Sequence, residues 1–306
     1  MRGTWGRRGA SRLAGALVAL LVLLAPTDVA SAAPATRSVG PVHAAAADLC
    51  ASLEAALQAV QAQIEQHNAT PNVFDESQAA ALAAYDAEAA ALTAAQETAI
   101  ANLQSCLDAA ALLATDNSTV DLKPPTEKAR QVLQEAKDKI GNDWTPPAAP
   151  PVGKNWRVPK SSPPRALYDA LRAGNPPELG AATLRGQARP AVGADDPAYA
   201  NRTFLTAADG LSAASADHII PIARQIYLPG FVQLTPDNMY VVTRAPLNFQ
   251  WLSFKANLSK QSRSVAGMSG VDPRWQAEQV ELEDETVQAL QAAIDRLLAS
   301  QGTPRQ

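Results

Sequence analysis

Histidine and cysteine are both scarce in this chain, with three His and two Cys in 306 residues. Two cysteines cannot complete a zinc site by themselves, so a Cys-ligated metal centre is excluded. The histidines are His43, His67 and His218, which leaves the second half of the chain with one imidazole. Long apolar runs are missing too. Leu13 to Ala25 gives 13 apolar residues, against the roughly 20 that a bilayer crossing needs.

That run does have a basic head, Arg2, Arg7, Arg8 and Arg12, and a small-residue site, Ala30-Ser31-Ala32. Together they make a secretory signal peptide over residues 1–32, cut after Ala32. The chain is therefore expected to be secreted, with no membrane span after cleavage. Residues 1–32 hold four Arg and one Asp; without them 22 basic and 29 acidic side chains remain, a net of −7. The charge is uneven. Residues 33–143 carry 6 basic and 15 acidic groups, whereas residues 214–270 carry 5 basic and 2 acidic. A local positive excess in an acidic protein is what a phosphate-binding site requires.

In an exported chain two cysteines pair by default, so Cys50 and Cys106 are expected to form a disulfide. The surrounding pattern resists a simple version of it. Residues 44–114 are Ala-rich, with Leu49, Leu53, Leu57, Val60 and Ile64 at helical spacing, then Leu82, Tyr85, Ala89, Leu92, Ile100, Leu103 and Leu107. This is a helical hairpin with a turn signal at Asn68-Ala69-Thr70-Pro71-Asn72. If the helices end near His67 and start near Glu76, Cys106 lies about 12 residues past the position facing Cys50, roughly 18 Å. A disulfide tolerates less than about 7 Å between Cα atoms. Either the turn is centred nearer residue 78, or the helices bend, or the bond is not within one chain.

The remaining helical region, within 33–143, is a run from Pro124 to Ile140. Residues 144–164 hold seven prolines and read as a linker between the helical region and a domain over 165–306. A short helix, Pro164 to Ala173, opens that domain, and residues 174–213 read as irregular. His218-Ile219-Ile220-Pro221-Ile222 suggests a short strand, with Pro221 confining it to an edge. Thr235-Pro236 opens a helix to about Thr243. Phe249 to Lys260 has helical spacing, and Pro273 to Leu298 a long apolar stripe through Val280, Val287, Leu290, Ile294 and Leu297.

The residues that carry chemistry lie between these elements. Asp217 is a hard oxygen ligand for a divalent cation, and His218 beside it is a base near neutral pH. In a strand the two point to opposite sides, unless the strand end is strongly twisted. Asn248 is placed to fix the imidazole. Asn257 follows nine residues later, and Lys260 shares its helix face.

This order resembles the HNH family of ββα-metal nucleases, in the form found in exported and toxin-type members. Asp217-His218-Ile219-Ile220-Pro221 matches that family's first block, Leu247-Asn248 through Leu252 the second, and Asn257-Leu258-Ser259-Lys260 the third. The insert from Leu228-Pro229-Gly230-Phe231 to Met239 is also similar. The resemblance covers residues 216–263 and none of 33–150. With the helical spacing of the first half, it gives a mostly α (α+β) fold: an N-terminal Ala-rich helical hairpin, read from that spacing, plus a C-terminal ββα-metal domain with flanking helices, implied by the resemblance. It implies an endonuclease in which His218 is the general base, Asn248 holds its ring, Asp217 and Asn257 ligate metal, and Lys260 contacts phosphate. With Asn257 where other members have His, the ligand set is two oxygens, which favours Mg²⁺ or Mn²⁺. The implied partner is DNA or RNA, read with little sequence specificity, and an immunity protein or envelope partner would meet the N-terminal helices. The competing reading is a non-catalytic exported helical protein that binds a partner or the cell envelope and carries a degenerate nuclease fold.

Overall fold

The computed structural model describes residues 41–302, except 116, 142, 178 and 181. The expected signal peptide lies outside the described residues. The chain is mostly helical with one two-stranded sheet, an α+β arrangement. No described helix is long and apolar enough to cross a membrane.

The described residues divide into two compact units, 51–103 in one and 41–50 with 104–302 in the other. The division therefore does not fall at the Pro-rich stretch. Residues 144–164 are held within the second unit by aromatic and backbone contacts that a proline count does not reveal. The rings of Trp144 and Trp156 each lie 6.0 Å from that of Tyr227. Trp156 also exchanges backbone and side-chain hydrogen bonds with Ser262, at 3.1 and 2.9 Å.

Helices α1 (Pro41–Ala69) and α2 (Ala79–Ala114) form the expected hairpin. A single 3-10 turn, Glu76–Gln78, capped by Asp75, lengthens the connection. Cys50 pairs with Cys106 at a Cα separation of 5.9 Å. His67 meets Glu88 at 3.3 Å. Both pairs centre near residue 78, so the turn sits later than the Asn68–Asn72 signal and the disulfide closes within one chain.

In the second unit, α3 (Glu127–Lys137) packs on α4 (Arg165–Arg172) and α6 (Pro236–Thr243), α4 also meets the four-residue α5 (Ile222–Gln225), and α6 meets α8 (Pro273–Ser300). Leu133, Leu167, Leu171, Ile219, Ile220, Phe231, Leu290, Ile294 and Leu297 make the shared core. Three of these helices start where local chemistry dictates. Thr126, Thr235 and Asp272 each cap the first free N–H groups with a side-chain oxygen, and Pro236 and Pro273 take first-turn positions that need no N–H.

The sheet pairs β1 (Ala214–His218) with β2 (Phe249–Ser253), antiparallel, with His218 opposite Phe249 and Asp217 opposite Gln250. Both strands correct the sequence reading. The strand expected at His218–Ile222 ends at His218, because Pro221 caps α5 instead. The helix expected over 249–260 is a strand followed by the short helix α7 (Phe254–Lys260). All five residues of β2 are buried, so it lacks the polar alternation that marks a half-exposed strand. Ser253 caps α7 and fixes the change of element.

Candidate active site

The alternation of β1 sorts its side chains. Ala214 and Ala216 face one way, onto Phe249, Trp251, Phe204 and Leu184. Ser215 and Asp217 face the other way, towards α7. There the Asn257 amide donates to Ser215 Oγ at 2.9 Å, and the Lys260 ammonium meets Asp217 Oδ2 at 2.9 Å. His218 is the last residue of the strand. It follows the Ala214 side and packs its ring 4.6 Å from that of Phe249. Because the strand stops there, Asp217 and His218 nevertheless line one cleft of about 370 Å³. Asn257 lines it from α7, Gln261 and Ser262 from the residues that follow α7, and Tyr168, Arg172, Asn175 and Pro176 from α4 and the turn after it.

Asn248 is fully buried, but it does not touch the imidazole. Its side chain accepts from Ile220 N at 2.7 Å and donates to Ile220 O at 3.0 Å. The backbone carbonyl of Asn248 accepts from Ile219 N at 2.9 Å. Asn248 therefore extends the antiparallel ladder past the end of β1 with an amide that imitates a peptide group. It positions His218 through the chain that follows it, not through the ring.

The ring is held by the carbonyl of Thr243, 3.2 Å from His218 Nε2. A carbonyl only accepts, so Nε2 carries the proton and Nδ1 keeps the lone pair. The same carbonyl accepts from Asn175 Nδ2 at 3.0 Å. Burial pushes the imidazole down to about 3, the Thr243 carbonyl opposing and the Lys260 and Arg244 charges assisting.

Lys260 corrects the sequence reading most sharply. It is 0% exposed. Its ammonium donates to the His218 carbonyl at 2.6 Å as well as meeting Asp217. A lysine enclosed in this way cannot reach a phosphate in solution. Asp217 is buried as well, and burial raises its carboxyl while Lys260 and Gln250 pull it back down.

Among the described residues no cluster of three or more His, Cys, Asp or Glu is placed to hold a metal ion. The cleft does present a carboxylate, Asp217, beside an amide, Asn257, whose nitrogen is committed to Ser215 and whose oxygen is not. These donors suit a hard divalent cation in kind. Lys260 already occupies one Asp217 oxygen.

The sequence reading missed Arg172, Asn175 and the Thr243 carbonyl. Arg172 and Asn175 lie more than forty residues before Asp217, in a stretch without a motif, and a carbonyl has no sequence signal. Comparison of the chain with family models, curated proteins and solved structures finds no match.

Proposed function

We propose that this chain is an exported, metal-dependent endonuclease of the HNH type, hydrolysing nucleic-acid phosphodiesters with little sequence specificity. One observation carries the reading: Asp217 and His218, from the first block of the motif, and Asn257, from the third, line a single cleft beside a strand, strand, helix unit.

The chemistry follows from the residues. His218 Nδ1 takes a proton from water, because Nε2 is held as a donor by Thr243. An incoming phosphate brings negative charge to a ring that burial keeps neutral. That charge favours the imidazolium and makes the ring a stronger base. Asn248 fixes the chain after His218 and so fixes the ring's origin. Asp217 and Asn257 would hold a divalent cation, Mg²⁺ or Mn²⁺, whose chemistry there is charge stabilisation at the phosphate and the leaving oxygen. Backbone-directed contacts of this kind read no bases.

The Lys260–Asp217 pair favours a second reading, in which the fold is retained without activity and the chain binds a partner or the cell envelope. Plasmid nicking by the full chain separates the two. The nuclease reading expects nicking with Mg²⁺ or Mn²⁺, none with EDTA, and a loss on the order of 10²–10⁴-fold in His218→Ala. Absence of nicking in every metal, or wild-type nicking by His218→Ala, would hand the case to the binding reading.

A further inference from the structure

We infer that Arg172, at the C-terminal end of α4, is the residue that meets substrate phosphate in this cleft; the inference rests on the nuclease reading above. The residue that the motif assigns to the task, Lys260, is enclosed and bound to Asp217 and to the His218 carbonyl. Drawing it out to a phosphate would leave Asp217 buried without a counter-charge. Among the described residues that line the cleft, Arg172 is the one cation. Since Lys260 already balances Asp217, Arg172 sets the sign of the charge that an approaching anion meets.

The local geometry suits that role. The Arg172 guanidinium lies 5.3 Å from the centre of the Tyr168 ring. A cation over the ring face is attracted to it without spending an N–H donor. Arg165 sits at the same 5.3 Å from the same ring, but its charge is committed. Arg165 pairs with Asp169 at 2.8 Å and donates to the Val158 carbonyl at 3.1 Å. Arg172 is exposed, and among the described residues no carboxylate lies within ion-pair distance of it. Two arginines thus share one aromatic platform, one neutralised and the other open at its fork. A planar fork of N–H donors is the side chain best shaped for two phosphate oxygens. The Asn175 turn beside it adds a side-chain oxygen that is buried without a hydrogen-bond partner among the described residues. That oxygen accepts and does not donate, so it suits a sugar hydroxyl on the same nucleotide and not the phosphate.

The test uses the full chain as wild type, Arg172→Ala and Arg172→Lys. Affinity for a short labelled DNA duplex is measured in EDTA across a salt series, and cleavage is measured separately with Mn²⁺. Arg172→Ala should lower the slope of log K against log salt by about 0.9, the share of one phosphate contact. It should weaken low-salt binding about tenfold. Arg172→Lys should restore the slope, because it restores the charge. An unaltered slope in Arg172→Ala, in a preparation whose wild type cleaves, overturns the inference and leaves the nuclease reading intact. A lowered slope with no cleavage by the wild type supports Arg172 as the phosphate contact and sinks the nuclease reading instead. A wild type that neither binds nor cleaves overturns both.

Discussion

Two polar contacts, one in each unit, are alike in type and opposite in setting. In the hairpin unit His67 Nδ1 lies 3.3 Å from a Glu88 oxygen; the His67 side chain is 2% exposed and that of Glu88 66%. In the second unit Lys260 Nζ lies 2.9 Å from Asp217 Oδ2, with side-chain exposures of 0% and 5%. The distances differ little, but the consequences of breaking each contact differ greatly. A charge that can turn to water loses little when its partner goes. A charge sealed inside has nothing to replace that partner. The hairpin unit is built throughout on the first plan. Between residues 51 and 103 only Leu57, Ile64, His67, Tyr85 and Gln96 are buried among the described residues, and alanine helices fill the rest.

The contrast is sharpest in Lys260→Met. It keeps the length of the side chain and removes the ammonium, leaving Asp217 and the His218 carbonyl enclosed without their donor. Unfolding free energy should fall by about 3–5 kcal/mol, read by chemical denaturation. Adding Asp217→Asn should recover much of that loss, since the stranded charge goes too. A loss under about 1 kcal/mol for Lys260→Met would mean that water reaches the pair and that the two settings are not different in kind.

Which parts were legible in the sequence follows the same division between local and long-range causes. The helix opened by Thr235 was readable because a cap acts within three residues, and the helix over Pro273–Ser300 because its apolar stripe repeats along one face. The strand over Phe249–Ser253 was not, because burial on both faces removes its period, and Phe249, Trp251 and Leu252 then pass for a helix face. The Pro-rich stretch misled because Trp144 and Trp156 dock on Tyr227, which is about seventy residues or more away. In the site, the Asp217-His218 block and the Asn257 and Lys260 spacing gave the right neighbours. They did not give the tasks: Lys260 binds Asp217, and Asn248 binds the backbone of Ile220. Arg172 arrives from α4, and only the packed structure brings it to the cleft.

An intermediate case lies between the two settings. Asn248→Ala strands a buried, uncharged N–H on Ile220, while the Ile220 carbonyl keeps the Gln225 amide as a donor at 2.8 Å. The expected loss is about 1–3 kcal/mol for a buried group left unsatisfied. Cleavage should fall further than stability alone explains, because the chain after His218 loses its clamp. Stability measured by denaturation and cleavage measured below the unfolding transition separate the two effects. Full activity in a destabilised Asn248→Ala would show that the amide supports the fold without positioning His218.

The smallest effect belongs to the hairpin. Glu88→Gln removes the charge facing His67 at almost constant size and with little change in helix propensity. Glu88 is mostly in water, so its contact with His67 competes with solvent throughout. His67 keeps its other support, the Tyr85 ring stacked at 4.0 Å with an interplanar angle of 27°. Phe74 packs on the far part of that cluster, 5.7 Å from Tyr85. The cost should therefore be no more than about 1 kcal/mol, and it should shrink further as salt is raised. Hydrogen exchange of the amides between residues 51 and 103 reads it without interference from the second unit. A loss above about 2 kcal/mol would mean that the enclosed His67 depends on Glu88 as Asp217 depends on Lys260, and the contrast between the two units would fail at its simplest point.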